Sequence, residues 1–128
     1  MTSPTVLVVD DDDDIRELTQ LSLESVSGWN VITANGGLAA IKMVREHLPD
    51  AVLLDMMMPD MDGLTTLEHL QADESTRHIP VIMFTAKGKV GERQPWDDYP
   101  IRGVIPKPYD PLTLGDQVAE MLGWPASG

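Results

Sequence analysis

Apolar residues fall along this chain in two alternating styles. Short unbroken runs occur at Val6 to Val9, Val31-Ile32, Ala51 to Leu54, Val81 to Phe84 and Gly103 to Ile105, and most are rich in β-branched side chains. Runs of this length and composition predict strands buried on both faces. Between them, apolar positions recur at three- and four-residue spacing: Ile15, Leu18 and Leu21; Ile41, Val44 and Leu48; Leu64, Leu67 and Leu70; Leu114, Val118, Met121 and Leu122. That spacing predicts amphipathic helices.

The breaks agree with this reading. Ser27-Gly28 ends the first helix, Pro49-Asp50 stops the second and Gly123 ends the last. Ala34-Asn35-Gly36-Gly37 closes the second strand. Asp14 and Glu17 are spaced like a capping box, so part of the acidic run is expected to cap the first helix. Alternation asks for a helix over roughly 88–98, yet Gly88, Gly91, Pro95 and Pro100 are poor helix interiors, which predicts a short or irregular segment. Strands alternating with helices predict an α/β fold, a parallel sheet covered on both faces. With 128 residues and no linker or repeat, a single domain over 1–128 is expected, its core spanning about 5–122.

Sheets of this kind form sites beyond the carboxyl ends of their strands. The polar residues at those ends are the run Asp10 to Asp14, then Asp55, Thr85 and Lys107. Crowded carboxylates repel one another, and a hard cation that prefers oxygen, such as Mg²⁺, relieves the repulsion. The plainer alternative for the run is a solvated helix start. Asp55 is a carboxylate able to form an acyl phosphate. Phosphoryl transfer needs positioning and charge neutralisation more than a strong base. A Mg²⁺ held by Asp10, Asp11 and Asp55 could bridge protein and phosphoryl oxygens. Lys107 could pair with the phosphoryl group and Thr85 could donate a hydrogen bond to it. Taken singly, Asp55 could be a cap, Thr85 a turn residue and Lys107 a surface lysine.

Composition narrows the partners. A net charge of −12 argues against nucleic-acid phosphate contacts. There are no cysteines, so disulfide and thiol chemistry are excluded. No apolar run approaches the roughly 20 residues of a membrane span, and Met1 to Thr5 lacks the features of a signal peptide. A soluble cytoplasmic protein with no membrane partner is expected.

Four stretches together resemble the response-regulator receiver family of two-component signalling: Val6-Leu7-Val8-Val9-Asp10-Asp11; Leu53-Leu54-Asp55-Met56-Met57-Met58-Pro59-Asp60-Met61-Asp62-Gly63; Pro80 to Lys87; and Lys107-Pro108. The likeness runs from Val6 to about Leu122. It implies a doubly wound, flavodoxin-like sheet in the order 2-1-3-4-5. It implies Asp55 as phosphoacceptor, Asp10 and Asp11 as the acidic pair for Mg²⁺, and the Met57 backbone carbonyl as a third protein ligand. Thr85 then matches the switch hydroxyl, Lys107 the phosphate-pairing lysine, and Lys107–Pro108 a cis bond. The implied partners are a histidine kinase or phosphotransfer protein and an unknown downstream protein. The implied role is a phosphoacceptor catalysing only its own phosphorylation and dephosphorylation, with no output domain following.

Two departures stand out, one being that the segment between Lys87 and Gly103 is unusually rich in Gly and Pro for the family's fourth helix. Val104 occupies the strand position where many receivers carry a switching aromatic. Bulky Met57 and long Lys87 sit where the family's residues flank the water that removes the phosphoryl group, which suggests a slowed loss. A rival reading is a small haloacid-dehalogenase-like phosphatase using Asp10 and Asp12, which leaves Asp55 idle; another is an unphosphorylated docking module. His47, His69 and His78 lack ligand-like spacing. Asp60 and Asp62 are expected to shape their loop and start the third helix. Trp96, Tyr99 and Trp124 could serve a partner surface or partial burial.

Overall fold

The computed structural model describes residues 3–86 and 99–124. In chain order the elements are β1 (Thr5–Val9), α1 (Asp13–Ser25), β2 (Asn30–Ala34), α2 (Gly37–His47), β3 (Ala51–Asp55), α3 (Gly63–Ala72), β4 (Val81–Ala86), β5 (Gly103–Lys107) and α4 (Leu114–Leu122). The sheet runs β2-β1-β3-β4-β5, the order that the family resemblance implies, with every neighbouring pair parallel, as the alternation of strands and helices predicts.

Successive side chains on a strand point to opposite faces, so each strand feeds two cores. Leu7, Val9, Val52, Leu54 and Met83 pack with Ile41, Val44, Leu67 and Leu70 of α2 and α3. Val6, Val8, Leu53, Ile82 and Phe84 pack with Leu23, Leu114, Val118 and Leu122 of α1 and α4. Burial on both faces is why β1 and β3 read as solid apolar runs. From β1 the chain winds out to β2 on one side, then returns to β3 on the other. Loops leaving the adjacent ends of β1 and β3 therefore diverge, and a cleft opens between them.

Several local expectations are corrected. The acidic run caps α1 as expected, but through Asp12 rather than an Asp14–Glu17 box: the Asp12 side chain accepts from the backbone N–H groups of Asp14 and Ile15. The stripe Ile15, Leu18, Leu21 does not face the core. Leu18 and Leu21 are 47% and 59% exposed, while α1 buries Thr19, Ser22 and Leu23. The stop of α2 comes at Leu48, which takes a left-handed backbone (φ 44°) and donates its N–H to the Val44 carbonyl at 2.9 Å. Pro49 then cannot extend the helix. Gly37 belongs to α2 rather than to the turn before it. Gly28 and Gly123 take the positive φ that their places after helices require. Lys87 and the irregular stretch expected over 88–98, with Trp96, lie outside the described residues.

Candidate functional site

Each functional side chain sits on or beside the carboxyl end of a strand. Asp10 follows β1, Asp55 ends β3, Thr85 lies near the end of β4 and Lys107 ends β5. Their spacing in sequence is wide, yet the topology delivers them to one rim. Lys107 Nζ lies 2.8 Å from Asp10 Oδ2 and 3.2 Å from Asp55 Oδ1. Asp10, Asp11 and Asp55 each offer a carboxylate oxygen, and these atoms lie within 4.8 Å of one another. Asp10 and Asp55 are buried, whereas Asp11 is exposed at the mouth. Thr85 is half-buried on β4, paired in register with Pro106.

Backbone groups hold the carboxylates in place. The Asp12 N–H donates to Asp10 Oδ1 at 2.9 Å, and the Met57 N–H donates to Asp55 Oδ1 at 3.3 Å. Arg16 donates to the Asp10 carbonyl at 3.0 Å and pairs with Asp13 at 2.6 Å. The loop after β3 is pinned on two sides. The Met56 N–H reaches the Phe84 carbonyl, and the Gly63 N–H reaches the Met56 carbonyl, both at 2.9 Å. Only glycine fits at position 63: a Cβ there would lie 2.5 Å from the Asp55 carbonyl oxygen. The Met57 side chain is exposed at the rim.

Burial raises the Asp55 carboxyl from its ordinary 3.8 to about 6, and the charge of Asp10 adds to the rise against the pull of Lys107. Burial alone would lower the Lys107 ammonium, but its hydrogen bond to Asp10 and the charges of Asp10 and Asp55 outweigh that and raise it. A carboxyl held above its unfolded value favours folding below that value and loses the benefit as pH rises through about 6. The metal-free protein therefore carries a penalty at Asp55 at neutral pH. The full rise is equivalent to at most about 3 kcal/mol, and water at the open rim reduces it to about 1–2 kcal/mol. Asp55→Asn should raise the stability of the metal-free protein by that amount at pH 7.5. The gain should vanish near pH 4. Urea titrations at the two pH values check both signs.

Three oxygen donors converging beside one ammonium are compatible with a site for a hard divalent cation. Two of the carboxylates are buried with the Lys107 ammonium between them, so a divalent cation there would relieve their repulsion. Among the described residues this is the cluster of acidic side chains with metal-ligand geometry.

The sequence reading missed two contacts. Asp60 does more than shape its loop: its carboxylate accepts from Gly37 and Leu38 N–H, each at 3.3 Å, and so caps α2 from a distance. Gly36 offers no side chain to do this, and a Cβ there would lie 2.8 Å from the Asp60 carboxylate. The pair of glycines was the available signal. Asp62 starts α3 as expected, accepting from the Thr65 N–H at 2.8 Å. The second contact is a set of hydroxyls between α1 and the loop after β5. Thr19 bonds the Tyr109 hydroxyl and Ser22 donates to the Pro111 carbonyl.

The sequence matches the family described as response regulator receiver domain over residues 6–119. The chain belongs to that family. It is 35% identical over 119 residues to the DNA-binding dual master transcriptional regulator RpaA of Synechocystis, covering 93% of this chain and 49% of RpaA. It is 37% identical over 119 residues to the response regulator PleD of Caulobacter vibrioides, covering 93% of this chain and 26% of PleD. The chain thus spans half or less of the length of these two relatives. Among solved structures it is similar to a putative response regulator from Chloroflexus aurantiacus (30% identity, TM-score 0.85, 95% of this chain and 99% of that one). It is also similar to the Vibrio cholerae chemotaxis protein CheY4 (25% identity, TM-score 0.85, 94% and 99% covered). A receiver domain is a phosphoacceptor signalling module, and phosphoryl transfer is the standard function of the family. The cis Lys107–Pro108 bond implied by the resemblance is present. No described helix is long and apolar enough to cross a membrane.

Proposed function

We propose that this receiver domain takes a phosphoryl group onto Asp55 from the phosphohistidine of a histidine kinase or phosphotransfer protein, and that Asp10, Asp11, Asp55 and the Met57 carbonyl hold the Mg²⁺ it needs. The observation that carries the reading is the meeting of Asp10, Asp11 and Asp55 around Lys107. Mg²⁺ held by these residues would supply charge neutralisation for the transfer.

The chain's own groups do the rest. Lys107 and the Met57 N–H both engage Asp55 Oδ1, so Oδ2 is the oxygen that attacks phosphorus. The new O–P bond forms as the P–N bond to the donor histidine breaks, and the bonding pair leaves with the imidazole. The Lys107 ammonium then shifts from Asp55 to a phosphoryl oxygen as a point charge. The Thr85 hydroxyl donates to another. Moving Thr85 toward the phosphoryl group biases two arrangements of the surface around β4 and β5, a population shift. Water later attacks phosphorus, the Asp55 Oδ2–P bond breaks with its electron pair returning to the carboxylate, and phosphate leaves with the water's oxygen while the surplus proton passes to solvent. Bulky Met57 crowds that approach, so the phosphoryl group is long-lived.

The exposed Leu18 and Leu21 of α1, the helix that follows the acidic run, give a phosphodonor protein an apolar face to seat on. The reading makes the chain an acceptor that catalyses only its own phosphorylation and dephosphorylation. It passes the signal to a downstream protein. A net charge of −12 disfavours nucleic acid as the ligand of these residues. The cytoplasm is the expected location.

Intact-mass measurement after incubation with acetyl phosphate and Mg²⁺ tests the reading. The expected result is one added phosphoryl group on the wild-type protein and none on Asp55→Asn. Label on Asp10 instead would support the phosphatase reading. No label from any small phosphodonor would favour a docking module.

A further inference from the structure

Lys107 must hold its ammonium between two carboxylates, yet the chain that follows it is poorly tied by its own backbone. Pro108 and Pro111 lack N–H groups, and the N–H groups of Leu112, Thr113 and Leu114 turn inward on Asp110. What anchors this segment comes from its neighbours. The Tyr109 ring stacks on Phe84 of β4, with centroids 5.4 Å apart and planes 19° off parallel. The Tyr109 hydroxyl bonds Thr19, and Ser22 donates to the Pro111 carbonyl. Thr19 and Ser22 lie on the inner face of α1, where the helix pattern alone would put apolar residues. Thr19 already donates its own proton to the Ile15 carbonyl at 2.7 Å, so Tyr109 is the donor in their shared bond.

We propose that Tyr109 is a positioning residue for Lys107: its hydroxyl, held by Thr19 on α1, and its ring, seated on Phe84, fix the loop so that the ammonium sits between Asp10 and Asp55. The inference rests on the phosphoacceptor reading for its consequence, but not for its geometry. It makes α1 and Lys107 one mechanical unit. The same loop carries the lysine at one end and, through two hydroxyls, the helix that follows the acidic run at the other.

Tyr109→Phe keeps the stacked ring and removes only the hydroxyl. Thr19 stays satisfied by Ile15, so no buried donor is orphaned. Two effects of opposite sign are expected. The rate of phosphorylation by acetyl phosphate falls about fivefold, the size of one lost hydrogen bond. Mg²⁺ binds about twofold more tightly, because a loosened ammonium opposes the cation less. General weakening of the fold would lower both together, and that result would overturn the proposal. Thr19→Val should reproduce Tyr109→Phe, the double variant should add nothing further, and Thr19→Ser, which keeps the hydroxyl, should behave as wild type.

A metal-free readout separates this proposal from the acceptor reading. The ε-methylene NMR resonances of Lys107 should shift toward free-lysine values in Tyr109→Phe and in Thr19→Val, but not in Thr19→Ser. Unchanged Lys107 resonances would overturn the positioning role even if Asp55 accepts phosphate normally. A wild-type protein that accepts no phosphate, with the lysine resonances shifting as described, would overturn the acceptor reading and leave the positioning role standing.

Discussion

Truncating Phe84 to alanine should lower the free energy of unfolding by about 3–5 kcal/mol, measured by urea denaturation monitored by circular dichroism. Phe84 is fully buried in the core between the sheet and α1 and α4. Its removal loses the transfer energy of an aromatic ring and leaves a cavity that strands on either side cannot close. It also removes the surface on which Tyr109 stacks, so the loop after β5 loses a contact at the same time. Phe84→Leu refills most of that volume and should cost less than about 1.5 kcal/mol. An alanine variant as mild as the leucine one would show that the ring is not packed as described.

Replacing Lys107 with methionine should cost the metal-free protein about 3 kcal/mol at neutral pH, because two buried acids lose the charge between them. The variant has a way to recover. Without the ammonium, the Asp55 carboxyl rises further above its unfolded value and takes up a proton. A raised carboxyl is neutral in both states below its unfolded value, so the deficit should shrink as pH falls toward 4 and be largest above about 7. Saturating Mg²⁺ should also narrow the gap, because the cation binds only the folded state and binds more tightly where no ammonium opposes it. Thermal melts at three pH values, with and without Mg²⁺, check the size and both recoveries. A deficit that is flat with pH would mean that Lys107 contributes packing rather than charge.

The sequence made the sheet legible because its inner strands are buried twice. Val6 to Val9 and Ala51 to Leu54 have no polar face, so no helix or surface strand competes with the assignment. Parallel strands share a carboxyl edge, and that alone put Asp10, Asp55 and Lys107 on one rim without any knowledge of contacts. What it hid was the direction in which α1 faces. Helical spacing identifies a stripe, but the choice between burying Leu18 and Leu21 or Thr19 and Ser22 depends on a loop some 90 residues away in sequence. The hydroxyls win because Tyr109 and the Pro111 carbonyl wait there with bonds to satisfy. The Asp60 cap of α2 was hidden for the same reason. A side chain from the loop after β3 fills a place that local rules assign to Gly36 or its neighbours. Local chemistry is readable one residue at a time, whereas these contacts exist only once the sheet is wound.

The outward turn of those leucines has a thermodynamic consequence. Helix α4 hides Leu114, Val118 and Leu122, whereas α1 hides a threonine, a serine and one leucine. The helix itself therefore adds little oily surface to what is re-wetted when α1 detaches. Its amide protons should trade with deuterium well before those of β1 and β3, as native-state exchange spectra would record. A helix so lightly glued can be lifted by a visiting protein at small expense.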